Sequence, residues 1–502
     1  MKNVIIILTA VLLITAINAC TLQEIPESGN PGAITITGQT VLEQAMSNLP
    51  GSKTILSGVE THWVNGDKIG VFSPEAKPTS ESAPPTKNAE STALTETPAK
   101  SSSFTSSLVW GSDSDHHFYA YYPYGTEYTS AQTAEVPISL ASAQNQSGDG
   151  NKDHIGALDF MVATPLTVAS GGAVSLTFNH VFVMIEFQIK GSGTLSQISL
   201  SGANPLACAG TIDLTQSAPA AESPYSITTT STSKYVTVTL GSGASLNSET
   251  ATSVYMMILP GPQSENLQIA VKIDGNWKEM SKPQPDGGFV RGKKYLVTLN
   301  TAGAGWNAAI QDSRDSQIYQ YKTIGTQVWM TENLAYLPSV VGPATESVTD
   351  PYYYVYGYDG TVVDDAKATS NYTIYGVLYN WTAALSACPQ DCHLPSDAEW
   401  TTLTDYLGGE SVAGGKMKEA GIAHWWSPNT GATNESGFTA LPGGCRYYDG
   451  AFTNFRTTGY WWSSTQHIDG SAGNRNLSYA NSSVGKPYGY LDYGFSVRCL
   501  QD

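Results

Sequence analysis

The chain has 502 residues, of which 14% are charged, and a formal net charge of −18. That balance excludes phosphate tracking along nucleic acid and basic attachment to anionic lipid, since both need clustered Lys and Arg. The aromatic residues are unevenly spread: 30 of the 51 fall between Ile310 and Asp502, so the chain is a composite.

Met1-Lys2-Asn3 places one positive charge ahead of an apolar run, Val4 to Ile17, broken only by Thr9 and Thr15. A helix of that length rises about 21 Å, short of the ~30 Å hydrocarbon core, so residues 1–19 read as a signal peptide rather than a membrane span. The run ends Ile17-Asn18-Ala19-Cys20, which resembles a bacterial lipobox. The resemblance implies cleavage after Ala19, a lipid on Cys20 and anchorage to the outer membrane at the cell surface. The alternative is ordinary signal cleavage that leaves Cys20 free.

From Ala33 to Asn300, short apolar alternations are separated by Gly, Ser, Asn and Pro, the pattern of antiparallel β structure. In the clearest strand, Val181, Val183, Ile185, Phe187 and Ile189 share one face, with Glu186, Gln188 and Lys190 on the other. Val236, Val238 and Leu240 repeat the alternation, as do Tyr295, Val297 and Leu299. Sheet packed on sheet is the economical way to bury such faces. Between Ser73 and Ser107 the composition turns to Ser, Thr, Pro, Ala, Glu and Lys, which predicts a solvated loop. A second break, Pro165 to Gly172, predicts the boundary between two sandwiches, residues 20–168 and 169–304.

Five segments of this region are similar to the fimbrillin superfamily of Bacteroidales-type pili: GDKIGVF (Gly66 to Phe72), FYAYYPY (Phe118 to Tyr124), LDFMVA (Leu158 to Ala163), FNHVFVMIEFQI and VRGKKYLVTL (Val290 to Leu299). The resemblance implies two transthyretin-like β-sandwiches. It also implies assembly with other fimbrillin subunits by donor-strand exchange, after proteolysis removes an N-terminal strand. Processing in that family favours a basic residue. Lys53 is the only Lys or Arg between Cys20 and Lys68, which makes it the candidate cleavage site, against an ordinary loop lysine. His180 lies within these motifs without a carboxylate or Cys pattern beside it and reads as structural.

Residues 305–502 differ in chemistry, with eight of the 11 Trp and four of the six Cys. In LPSDAEWTTLTDYLGG, Ser396 and Glu399 predict a capping box. Trp400, Leu403 and Leu407 then share a face, and Gly408-Gly409 end the helix. A second helix is expected over Gly376 to Ala387, ended by Pro389. Helices among many loops and short strands predict an α+β body stapled by disulfides. Cys388, Cys392, Cys445 and Cys499 allow three connectivities, and Cys208 is left as a buried small side chain. A metal site at Cys388, Cys392 and His393 lacks a second close-spaced pair.

Six segments here resemble the Fibrobacter succinogenes major paralogous (FISUMP) family: IGTQVWMTENL (Ile324 to Leu334), YGVLYNWTAALSACP (Tyr375 to Pro389), HLPSDAEWTTL (His393 to Leu403), GFTALPGGCRYYDG (Gly437 to Gly450), WWSST (Trp461 to Thr465) and GFSVRCL (Gly494 to Leu500). The family is similar to C-type-lectin-like folds, in which one disulfide ties a helical region to the last strand. Cys388 and Cys499 stand at the matching positions. Cys392 and Cys445 both depart from the common pattern, which leads us to expect a second, compensating disulfide between them. The fold class expected for the whole chain is therefore mainly β: two transthyretin-like β-sandwich domains followed by an α+β C-type-lectin-like domain.

A calcium lectin of that fold uses Glu-Pro-Asn or Gln-Pro-Asp with Trp-Asn-Asp, and neither set occurs after Ile310; Gln284-Pro285-Asp286 reads as a turn. Ligand binding by stacking remains, and the candidates are Tyr352, Tyr353, Tyr354, Tyr356 and Tyr358, with Trp425 and Trp426; the alternative is that the alternate tyrosines simply pack within a loop-rich domain. At least one of Trp461 and Trp462 is expected in the core. Formylglycine-generating-like enzymes share a similar closing motif and fold type. The reactive Cys pair or metal site those enzymes need is missing, and no nucleophile triad context or phosphate loop occurs. We expect no catalysis, no cofactor and no metal. The expected function is a pilus-tip adhesin, because about 200 residues after Leu299 block strand donation. Its partners would be other fimbrillin subunits, a glycan or protein receptor, and the outer membrane before assembly. The rival reading is a permanently anchored surface receptor.

Overall fold

The computed structural model describes residues 33–40, 62–78, 87–126, 134–216, 223–264, 266–467 and 470–502. Ala19, Cys20 and Lys53, and with them the signal-cleavage, lipidation and processing sites expected from the sequence, lie outside the described residues. The protein is mainly β.

The first body is a ring of strands. In order these are Met161–Ala163, Val174–His180, Ile36–Thr40, Ser101–Phe104, Ala89–Leu94, Lys68–Phe72 and Asp115–Tyr122, and the last pairs back to the first. Strand Ile36–Thr40 lies inside this ring, parallel to Val174–His180 and antiparallel to Ser101–Phe104. Ile34, Ile36 and Gly38 face the core, and the residues between them face out. Gly38 is required by close approach: a Cβ there would lie 2.8 Å from the Phe104 ring and 3.1 Å from that of Phe178. Both rings meet the buried Trp63 edge-on, at 5.1 and 5.2 Å.

The solvated loop expected from Ser73 to Ser107 is in part sheet. Ala89, Ser91 and Ala93 face the core from one strand, Ser102 and Phe104 from the next. The alternation is present but is written in small side chains, which carry little hydropathy signal.

The second body is a β-sandwich. A three-stranded sheet, Thr252–Ile258, Val183–Lys190 and Lys294–Asn300, packs on Thr194–Ser201, Tyr235–Ser245 and Leu267–Ile273. Val183, Ile185, Phe187 and Ile189 are buried, as the alternation requires, and the buried Glu186 is paired with Lys294. Cys208 is buried. His180 Nδ1 pairs with Asp159 at 2.8 Å. The sheets do not divide at residue 168. Glu135–Leu140 and Ala143–Gln146 belong to the second body, whereas Val174–His180 belongs to the first. The crossing strands are held by side chains as well as ladders. Buried Gln144 exchanges hydrogen bonds with both backbone groups of Met257 (2.7 and 2.9 Å), and Gln146 bonds Tyr255 N and Ser253 O (2.8 and 2.9 Å).

The C-terminal body continues the sheet of the second. Asn276–Lys282 pairs with Asn307–Gln311, and Ile318–Ile324, Gln327–Met330, Leu500–Gln501 and Cys392–His393 follow in order. Helix Asp397–Tyr406 has the expected capping box: Glu399 N donates to Ser396 Oγ, and Ser396 N to Glu399 Oε2. Trp400, Leu403 and Leu407 are buried, as are Trp461 and Trp462. The helix expected over Gly376 to Ala387 is not continuous. Gly376, at φ +72, ends helix Ser370–Tyr375; Leu378–Tyr379 is then a strand, and Asn380 caps a short helix, Trp381–Ala384.

Cys388 and Cys499 are disulfide-bonded across a sequence separation of 111. The second expected bridge is absent, and Cys392 and Cys445 are free thiols. Their strands pair in different sheets, one with Leu500–Gln501 and the other with Phe452–Thr453. Cys392 Sγ instead meets Tyr321 Oη at 3.1 Å, and Cys445 Sγ meets Thr453 Oγ1 at 3.4 Å. Burial pushes each thiol up to about 11, so both stay protonated near neutral pH.

Candidate binding surface

Most of the tyrosines singled out by sequence serve the interior. Tyr353 and Tyr354 are buried in a strand paired with Leu378–Tyr379. Tyr354 donates to Thr345 O at 2.7 Å, under the Arg446 guanidinium. Tyr356 stacks on Phe455 at 4.7 Å, and Tyr358 donates to Val362 O. Tyr352 is half-buried, its backbone N donating to Asn380 Oδ1. Trp425 is fully buried, its Nε1 donating to Ala440 O at 3.0 Å, which removes it as a surface contact. Trp426 alone of the seven is well exposed, at 54%, against the edge of Tyr479.

A different set of tyrosines reaches solvent together. Tyr448 and Tyr490 are 58% and 60% exposed, and both pack on Tyr493, at 6.2 and 5.6 Å. Tyr447 meets the same ring at 5.1 Å. Beneath them Tyr493 contacts Phe495, which stacks on Tyr460 and Trp462 in the core. The exposed rings therefore stand on a fixed aromatic floor, and a partner would order little on binding.

Local sequence explains the exposure. In strand Tyr488–Tyr490 the middle residue is Gly489, buried so closely that a Cβ would lie 2.7 Å from Phe495. With Gly489 facing in, Tyr488 and Tyr490 both face out. The loop beside them is clamped by the fully buried Arg446, which donates to Pro343 O (2.8 Å), Asp492 O (2.9 Å) and Thr345 O (3.3 Å). Burial first, then neighbours including Tyr447 and Asp492, push the Tyr493 phenol up to about 12, so it stays a neutral hydrogen-bond donor. Asp492 Oδ1 is buried there with no hydrogen-bond partner. Large amphipathic rings of this kind offer both stacking faces and phenolic hydrogen-bonding groups to solvent. The Tyr-Gly-Tyr alternation at 488–490 sets both tyrosines on one face, but the sequence does not show that Gly489 is the buried side, and Tyr447 and Tyr448 lie within a motif of the second family resemblance.

Among the described residues, no three His, Cys, Asp or Glu side chains are placed to hold a metal ion. His393 sits between Glu399 (2.9 Å) and Asp502 (2.5 Å). Burial opposes its charge, but those two carboxylates outweigh it and raise the imidazole above its ordinary value. Glu399 is thus engaged by the capping box and by His393.

Residues 57–339 match the fimbrillin-like family, and residues 323–501 match the Fibrobacter succinogenes major domain. No curated protein matches the chain. Among solved structures, it is similar to a candidate cell adhesion protein from Bacteroides uniformis, at 18% identity over 58% of this chain and 99% of that one (TM-score 0.36). A fimbrial protein from Bacteroides ovatus matches at 11% identity over 93% and 99% (TM-score 0.26). A fimbrial assembly protein from Parabacteroides distasonis matches at 11% over 57% and 97% (TM-score 0.26).

Proposed function

Because the chain belongs to the fimbrillin-like family, we propose that it is the terminal subunit of a surface fimbrium, assembled by strand exchange and attaching through its C-terminal body. Strand Ile36–Thr40 supports the exchange. It lies upstream of Lys53 and between two other strands, so a cut after Lys53 would free it and leave a slot of unpaired backbone groups and apolar pockets. A neighbour's strand fills that slot.

The observation that carries the terminal position lies at the other end of the family match. The last strand of the second sandwich, Lys294–Asn300, pairs with Val183–Lys190, and seven residues later the chain re-enters the sheet as Asn307–Gln311 and builds the C-terminal body. With both ends of Lys294–Asn300 tied, the subunit accepts a strand without donating one. In this reading Cys20 is lipidated, the precursor reaches the outer membrane, and cleavage at Lys53 releases it into the fibre. The Tyr448, Tyr490 and Tyr493 face then points away from the shaft and contacts a glycan or protein receptor.

Immunogold labelling with an antibody against residues 305–502 tests the position. Label confined to fibre ends is the expected result, and label along the shaft contradicts it.

A further inference from the structure

One face of the sheet shared by the second and C-terminal bodies is closed only in part by apolar packing. Ala270, Trp277, Ala309 and Ile318 form a small cluster on it. The register sets Gln268, Glu279 and Gln320 on that same face. Gln268, Glu279, Gln320 and Glu332 line a cavity of about 220 Å³, with Tyr235 from the second body and Tyr372 from the C-terminal body also in its wall. A neighbouring cavity of about 460 Å³ shares Tyr235, Tyr372 and Lys234 with it, and Lys234 reaches across to Thr373 Oγ1 at 2.7 Å. A domain seam of this kind is a common place for a ligand.

The lining is rich in acceptors, and its lysine, Lys234, is engaged by Thr373 Oγ1. Glu279 is 4% exposed, and its side-chain partner is the neutral amide of Gln320. Glu332 accepts from Gln320 N at 3.1 Å. The Arg498 charge acts on Glu332, but the Arg498 donors are taken by Asn333 and by carbonyls of Met330, Phe438 and Thr439. Gln268 Oε1 is buried with no hydrogen-bond partner. Burial, and then the Glu332 charge, push the Glu279 carboxyl up to about 8, and burial raises Glu332 as well, so the empty pair holds protons that an entering cation would displace.

Two carboxylates and an orphaned amide oxygen make three acceptors, and a primary ammonium has three N–H donors and no acceptor. Tyrosine rings attract a cation by their faces. Calcium fits less well, because it takes six to eight oxygens and no metal-holding trio of acidic, His or Cys side chains is present among the described residues. We propose that this cavity binds a small ligand through a protonated primary amine, carried by an amino sugar or a lysine-type side chain, with Glu279, Glu332 and Gln268 as acceptors and Tyr235 and Tyr372 as walls. The site is independent of the fimbrial reading, since it uses neither the strand slot nor the exposed tyrosine face.

Titration calorimetry on the full chain tests it, with glucosamine and Nα-acetyl-lysine amide as probes. Saturable binding of at least one probe is expected, with N-acetylglucosamine, whose amine is capped, at least about tenfold weaker than glucosamine if the sugar is the ligand. Glu279→Gln and Glu332→Gln should each weaken the bound probe by about tenfold or more while leaving the unfolding temperature unchanged or raised. If either variant fails to fold, Gln268→Leu removes the third acceptor and should weaken binding in the same direction. Binding of glucosamine alone assigns an amino sugar, and binding of the lysine amide alone assigns a peptide side chain. Absence of binding by both probes, or unchanged affinity in the folded variants, overturns the proposal.

Discussion

The first and the C-terminal bodies bury their backbones in opposite ways. In the first, ladders between strands satisfy most backbone groups, and the core is Ala, Val, Ile and aromatic side chains with no buried Lys or Arg among the described residues. The C-terminal body has a few long strands, such as Thr458–Gln466 and Ser471–Ser478, but many of only two residues, joined by long loops whose carbonyls have no ladder to join. Long cationic side chains reach those carbonyls instead. Arg498 is fully buried against carbonyls of Met330, Phe438 and Thr439; Arg446 clamps three more; and Lys418 donates to Thr430 O, Ser478 O and Asn481 O at 2.8 to 3.0 Å. Buried polar backbone must be paired somewhere, and where ladders are short the side chains take over. The contrast fits the roles proposed. A body built on ladders can exchange one strand for another of similar pattern, whereas a body pinned by individual side chains holds a fixed surface.

Removing the pins should harm only the second kind of body. Cys388→Ser with Cys499→Ser opens the long covalent loop, a loss of about 4–5 kcal/mol in the chain-entropy model, and should lower the denaturant midpoint of the C-terminal body. Arg498→Met leaves several buried carbonyls unpaired and should cost about 3–5 kcal/mol. Hydrogen exchange should then accelerate around Met330, Phe438 and Thr439 while strands of the first body stay protected; general acceleration would break the contrast. The converse change, Trp63→Ala, empties a site among Phe104, Phe178 and Tyr122, should cost about 3–5 kcal/mol, and should be felt in the first body. Paired Tyr448→Ser and Tyr490→Ser should change stability by less than about 0.5 kcal/mol each, since both rings are exposed, yet abolish attachment of cells bearing the fibre.

The smallest effect is one of pH. The His393 imidazole is raised in the folded chain, so its stabilising contribution is complete below the unfolded value of about 6.5 and fades as pH rises through the higher folded value. At 39% side-chain exposure the effect is modest. Unfolding temperature measured across that window should fall slightly for the native chain and stay flatter in His393→Gln.

What could be read from sequence depended on how local the physics was. The capping box was legible because Ser396 and Glu399 lie three residues apart and complete each other. The strand through Ile185 was legible because its alternation is written in large side chains. Ala89 to Ala93 carry the same alternation in small ones, so that strand was hidden. The division between the sandwiches was hidden for another reason: Ala143–Gln146 pairs with Tyr235–Ser245, and no local signal marks a partner so distant. Counting cysteines gave no information on separation, so Cys392 and Cys445 were paired although their strands lie in different sheets. The exposed tyrosine face was missed because its exposure follows from Gly489 packing under Phe495, a contact visible only once the chain is folded.

The most direct measurement is the N-terminal sequence of the chain recovered from assembled fibres. Strand exchange predicts a start at Thr54, with Ile36–Thr40 gone and its place in the ring taken by another subunit. A fibre-borne chain that still carries Ile36–Thr40, beginning at a lipidated Cys20, would contradict the account.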